Sequence, residues 1–112
     1  MLKKEILRRN SDFSSIYKKG KSVGDRFVVL FYKKNYLPYS RIAFLASKKV
    51  GNSVTRNRAR RLMKESYRQI NEKIAVGYDI IFIARNTIIN TKCADVKKSI
   101  EAAARRAGIL KK

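Results

Sequence analysis

Midway along the chain, dense positive charge and helical periodicity coincide, and few folds accommodate both. Lys48–Arg68 carries eight lysines and arginines against one acid, Glu65, for a net +7. Interleaved with that charge, Ala59, Leu62, Met63, Ser66, Tyr67 and Ile70 recur at helical spacing. The spacing predicts a helix over Thr55–Ile70 with one packed stripe. With Ala59 at zero and about 100° per residue, the stripe spans roughly 300° through 80°. Arg60, Lys64, Asn57, Arg68 and Arg61 then fall between roughly 100° and 200°, a basic ridge beside the packed face. A disordered basic arm is terminal and poor in apolar residues. This block is neither, so its charge is expected on a folded surface.

The rest of the chain agrees. Its 112 residues suggest one domain over 1–112, with the ends 1–9 and 109–112 expected to be flexible. Apolar residues make up 45%, enough for a real core. The net charge is +20, and a compact chain that repels itself this strongly implies a polyanionic partner. Two further basic blocks, Met1–Lys21 and Lys92–Lys112, each carry a net +5, while Gln69–Thr91 balances to zero. The apolar runs Phe27–Tyr32 and Ile80–Ala84 are too short to span a bilayer, and the N-terminus has no apolar signal segment, so a cytoplasmic protein is expected. A lone Cys93 fits that compartment.

Local patterns give the other elements. Asn10-Ser11-Asp12 is predicted to start a short helix whose face carries Phe13, Ile16 and Tyr17, with Gly20 as its stop. Phe27–Tyr32 and Ile42–Ala46 are predicted strands, and the Asn35–Ser40 loop suggests that they pair antiparallel. Asp79–Ala84 is apolar on both sides and so is a central strand. Thr91 is placed as the cap of a last helix that runs to about Ala107 and ends at Gly108. The order is α-β-β-α-β-α, an α+β two-layer sandwich of helices on a small sheet.

The segment from Lys48 through Lys64 carries the chemistry. A basic loop feeds a helix N-terminus, whose free N–H groups and dipole favour phosphate. Arginine forks bind phosphate oxygens two at a time, and Asn57 offers both a donor and an acceptor. An ordinary solvated helix face intersperses acids at i,i+4; here they are missing, which favours RNA binding by Lys48, Lys49, Asn52, Arg56, Asn57, Arg58, Arg60, Arg61, Lys64 and Arg68.

The run Arg56-Asn57-Arg58, followed by Arg60-Arg61 and preceded by Lys48-Lys49-Val50-Gly51-Asn52, resembles the signature of the bacterial ribonuclease P protein subunit. Phe13-Ser14-Ser15-Ile16-Tyr17-Lys18-Lys19-Gly20 resembles that family's first helix, and Phe82-Ile83-Ala84-Arg85 its central strand. Tyr17 stands where phenylalanine is common, and Phe31 where tyrosine is common. The resemblance implies a subunit of an endoribonuclease that removes the 5′ leader of precursor tRNA. The RNA subunit performs the chemistry with Mg²⁺, and no cofactor is bound by the protein itself. The protein binds that RNA through the arginine-rich segment and holds the leader in a cleft, for which Phe13, Tyr17 and Phe31 are the candidate lining. It also implies a left-handed β-α-β crossover around the basic helix, as in the ribosomal-protein-S5-domain-2-like fold, against the usual handedness.

Nothing in the sequence suggests a protein-borne catalyst or metal site. There is no histidine, the eight acids are scattered, and no glycine-rich nucleotide loop is present. The competing reading is a small ribosomal protein binding structured rRNA; composition fits it equally, and the order of the motifs does not. A DNA-architectural protein would need a long dimerisation helix or wedge-bearing arm. A membrane binder would need a lipid-facing apolar stripe beyond the core's own. Neither DNA nor a membrane is therefore expected as a partner.

Overall fold

A computed structural model describes residues 5–111. The elements are α1 (Asn10–Lys19), β1 (Lys21–Gly24), β2 (Val28–Lys34), β3 (Arg41–Leu45), α2 (Ser53–Ile70), β4 (Tyr78–Ala84) and α3 (Cys93–Ala107), with short 3₁₀ turns at Asn71–Lys73 and Asn86–Ile88. The strands form one mixed sheet in the order β1-β2-β4-β3. The fold is thus α+β, and β1 adds a strand to the expected order. Four residues without a clear alternation gave it no local signature; its pairing with β2, Lys21 against Tyr32 through Gly24 against Val29, creates it.

The expected antiparallel pairing of the second and third strands is corrected. β4 lies between them, antiparallel to β2 and parallel to β3. The reason lies in β4 itself: Asp79, Ile80, Ile81, Phe82 and Ala84 are all buried. A strand apolar on both faces is stabilised by neighbours on both edges. The loop at residues 35–40 need only step over one strand, about 9.6 Å for two strand spacings, and six residues reach that easily. β3 becomes an edge, partly covered where Ile6 bridges Ile42 and the Leu7 N–H donates to the Ile42 carbonyl at 3.0 Å.

Strand register sorts the side chains onto two faces. Val28, Leu30, Ile42, Ile80, Phe82 and Ala84 meet Ala59, Met63, Tyr67 and Ile70 of α2 and Val96, Ile100, Ala103 and Ala104 of α3. This is the principal core, and each large side chain buried there contributes about 1.5–3 kcal/mol. The packed stripe predicted for α2 is the one observed, Tyr67 included. On the other face, Ile16 of α1 and Leu7 pack on Ala43 and Ile81, flanked by Phe13, Phe31, Leu45 and Ile83. α2 and α3 with the sheet thus make the expected two layers, and α1 lies on the opposite face, which it covers only in part.

Local signals set most boundaries. Asn52, not Thr55, precedes the first turn of α2, and its side chain accepts from the Thr55 N–H at 3.0 Å, a cap worth about 1 kcal/mol. Lys92 rather than Thr91 precedes α3, and the Thr91 hydroxyl instead donates back to the Ile88 carbonyl at 2.6 Å. Gly20 ends α1 for a reason of space. A Cβ there would lie 2.5 Å from the Ile16 carbonyl oxygen and 2.6 Å from that of Tyr32. Leu7 and Ile109, which fall in the ends expected to be flexible, are both buried, and Leu110 bridges Ile74. The outermost residues of those ends, Met1–Lys4 and Lys112, lie outside the described residues.

Candidate nucleic-acid interface

The parallel β3-α2-β4 unit sets the amino end of α2 beside the half-covered face of the sheet. Gly51 turns the chain into that helix at φ +150°, a value that favours glycine, and a Cβ there would meet Thr55 at 3.0 Å. Arg56 fastens the turn: its guanidinium donates to the Gly51 carbonyl at 3.1 Å and approaches the Ser53 hydroxyl at 3.4 Å. No acid occupies the first turn of α2, so the positive end of the helix dipole is left uncompensated.

A groove of about 700 Å³ runs between α2, the β3 edge and α1. Asn57, Arg60, Arg61 and Lys64 form one wall, Ala43–Leu45 the floor, and Phe13 with Leu7 the far side. Arg60 donates to the Asn57 side-chain oxygen, which leaves the Asn57 amide N–H₂ and the rest of the Arg60 fork available. Arg61 and Lys64 are exposed and form no ion pair among the described residues.

The predicted set does not share one surface. Lys48 and Lys49 are exposed on the turn before α2. Asn52 caps α2 through its side-chain oxygen. Arg58 points the other way and donates to the Thr91 carbonyl at 2.9 Å, tying α2 to the start of α3. Arg68 lies further along the helix, paired with Glu65 at 2.5 Å. Hydrogen bonding to Arg68 holds the Glu65 carboxyl below its ordinary value, and the same bond raises the Arg68 guanidinium. Arg68 is thus the ridge residue whose charge is already compensated.

The three aromatics do share a face. Phe31, Ile81 and Ala43 form one row across β2, β4 and β3, and Phe13 and Phe31 are half-buried along it. Tyr17 is 43% exposed and meets Phe31 edge to face, centroids 5.0 Å apart at 90°. Partial burial pushes the Tyr17 phenol above its usual value. These side chains support the fold and still show ring surface to solvent. The groove also includes residues that sequence patterns did not single out. Val54, 74% exposed beside Asn57 on the groove, is one; an apolar residue facing water on an otherwise basic helix face was its only signal. Among the described residues, no cluster of three or more His, Cys, Asp or Glu could hold a metal ion. No described helix is long and apolar enough to cross a membrane.

Similarity to known proteins agrees with this surface. The family model Ribonuclease P matches residues 1–108. The ribonuclease P protein component of Clostridioides difficile is 47% identical over 104 residues, covering 92% of this chain and 91% of that protein. The solved RNase P protein of Staphylococcus aureus superposes with a TM-score of 0.85 at 31% identity, over 96% of this chain and 98% of that one. The RNase P protein of Thermotoga maritima gives 0.82 at 29% identity, over 91% and 96%. A matched family model over nearly the whole length, with relatives above 40% identity, places the chain in the ribonuclease P protein component family.

Proposed function

We propose that this chain is the protein subunit of a ribonuclease P ribonucleoprotein, an endoribonuclease that removes the 5′ leader of precursor tRNA. The observation that carries the reading is the groove itself. It sets Asn57, Arg60, Arg61 and Lys64, side chains suited to a structured phosphate backbone, opposite Phe13, which with Phe31 flanks the same sheet face and offers ring surface to unpaired bases. In this reading the RNA subunit performs phosphodiester hydrolysis with Mg²⁺. The protein anchors that RNA through the basic wall and the turn at Lys48 and Lys49, and holds the leader along Phe13, Tyr17 and Phe31. The family membership favours this over a ribosomal protein, whose composition would look the same.

The test is reconstitution with the RNA subunit. Wild-type protein should increase affinity for precursor tRNA over mature tRNA. Tyr17→Ala should shrink that difference while assembly stays intact, and Arg61→Ala should weaken assembly first. Protein that leaves the affinities for precursor and mature tRNA equal would refute the leader assignment.

A further inference from the structure

The sheet face under α1 has a third row, beyond the aromatic one, that the proposed function does not use. Lys33 of β2 pairs in register with Asp79 of β4, and Asp79 with Arg41 of β3. Asp12 of α1 reaches Arg41 at 3.5 Å, which places this row on the same face as Phe31. Arg41 satisfies Asp79 with two hydrogen bonds, at 2.8 and 2.6 Å. Lys33 and Lys34 form no ion pair among the described residues. Two residues along a strand is about 6.8 Å, so a strand of nucleic acid leaving Phe31 toward the loop meets Lys33 next.

The loop itself is held in one shape. The Asn35 side chain donates to Asp79 at 2.9 Å and accepts from the Leu37 N–H at 2.8 Å. Between those anchors Tyr36 takes φ +59°, a left-handed conformation that an aromatic residue rarely adopts, and its side chain is 89% exposed. Glycine or asparagine would sit there with less strain. Tyr36 instead lines a shallow basin of about 300 Å³ with Lys33, Lys34, Asp12 and Ser15 of α1. Backbone strain at an exposed position directs attention to what the side chain does there. A phenol ring beside two such lysines is a stacking surface next to phosphate-binding charge.

We propose that Tyr36, with Lys33 and Lys34, forms a distal subsite for single-stranded RNA that continues the aromatic row. It stacks a base of the 5′ leader further from the cleavage site, while the lysines neutralise the adjoining phosphates. This rests on the leader assignment above and extends it. Phe31 and Tyr36 are five residues apart, a separation of at most about 18 Å, so the subsite serves only leaders long enough to pass Phe31 and reach the loop. A leader of one or two nucleotides gains nothing from it.

The experiment uses reconstituted holoenzyme and precursor tRNAs that differ only in leader length, and reads their equilibrium affinity. Tyr36→Asn removes the ring while accepting the positive φ, so folding is undisturbed. It should weaken binding of long-leader precursors roughly fivefold or more and leave the shortest-leader precursor unchanged. Tyr36→Phe keeps the ring and should behave as wild type. The combined Lys33→Gln, Lys34→Gln variant should lower long-leader affinity and flatten its salt dependence. Tyr17→Ala runs in parallel. If Tyr17→Ala reduces leader binding and Tyr36→Asn does not, the distal subsite is wrong and the cleft stands. If neither matters, both assignments fall. A Tyr36→Asn loss that is equal for all leader lengths would move the contact to tRNA or the RNA subunit and overturn the proposal.

Discussion

Arg41 and Asp79 join the edge strand β3 to the central strand β4: the guanidinium Nε donates to Oδ1 at 2.8 Å and Nη2 to Oδ2 at 2.6 Å. The two residues are register partners, and Asp79 is only 5% exposed. Hydrogen bonding to Asp79 raises the Arg41 guanidinium above its ordinary value. Asp79 also accepts from Asn35, and the guanidinium approaches Asp12 of α1, so β3, β4, the loop and α1 are tied through one ion pair. Asp79→Ala should cost about 3 kcal/mol, because it leaves a partly buried guanidinium without its hydrogen-bonded carboxylate. Urea denaturation of the isolated protein measures this, and a loss below about 0.5 kcal/mol would show that the pair is merely a surface contact.

Gly20 should be as intolerant as a core position although it lies in a turn. The two atoms a Cβ would strike are both backbone oxygens, at 2.5 and 2.6 Å, and neither can rotate away. Gly20→Ala should therefore destabilise the fold by about 1–3 kcal/mol, by forcing α1 off the β2 strand. The same substitution at Gly108, where nothing lies within 4 Å, meets no steric obstacle and should cost only the strain of its positive φ. Thermal melts of the two variants compare crowding with conformation directly.

The salt dependence of RNA binding should divide the ridge. Arg61→Ala removes an unpaired charge from the groove wall. It should reduce the log–log salt slope by about 0.9 for each duplex phosphate that the side chain neutralises. Arg68 is already paired with Glu65, so Arg68→Ala should change the slope less. A wild-type slope for Arg61→Ala would mean that the groove wall does not touch the RNA.

Tyr67 predicts an alkaline limit to stability. Burial, helped by the negative charge of Glu5, pushes its phenol from 10 up to about 12. Its folded-state value is raised, so its neutral form is tolerated below pH 10, where the folded and unfolded states bind the proton alike. Between pH 10 and about 12 the unfolded chain ionises first and stability falls, by about 2–3 kcal/mol in total. Tyr67→Phe should remove that component from the pH dependence of unfolding. An identical alkaline profile for the two proteins would disprove it.

The chain's local chemistry determined every element except β1, the stripe and ridge of α2, and the class of partner. Those properties follow from spacings of three, four and two residues and from uncompensated charge, all of which are short-range. The helix wheel even separates Arg58 from Arg60, about 160° apart around the axis, although a motif read as a string groups them. Tertiary structure decided the rest. The insertion of β4 between β2 and β3 depends on burying both faces of one strand, and a six-residue loop permits either pairing. The meeting of Phe13 with Asn57, Arg60 and Arg61 depends on α1 lying across a sheet whose edge is β3. Whether a lysine or arginine is free also depends on distant residues: Arg41 finds Asp79, Arg58 finds Thr91, and Lys33 finds no acid among the described residues. Strand order and side-chain pairing are energies of contact between segments far apart in the chain, and no local period records them.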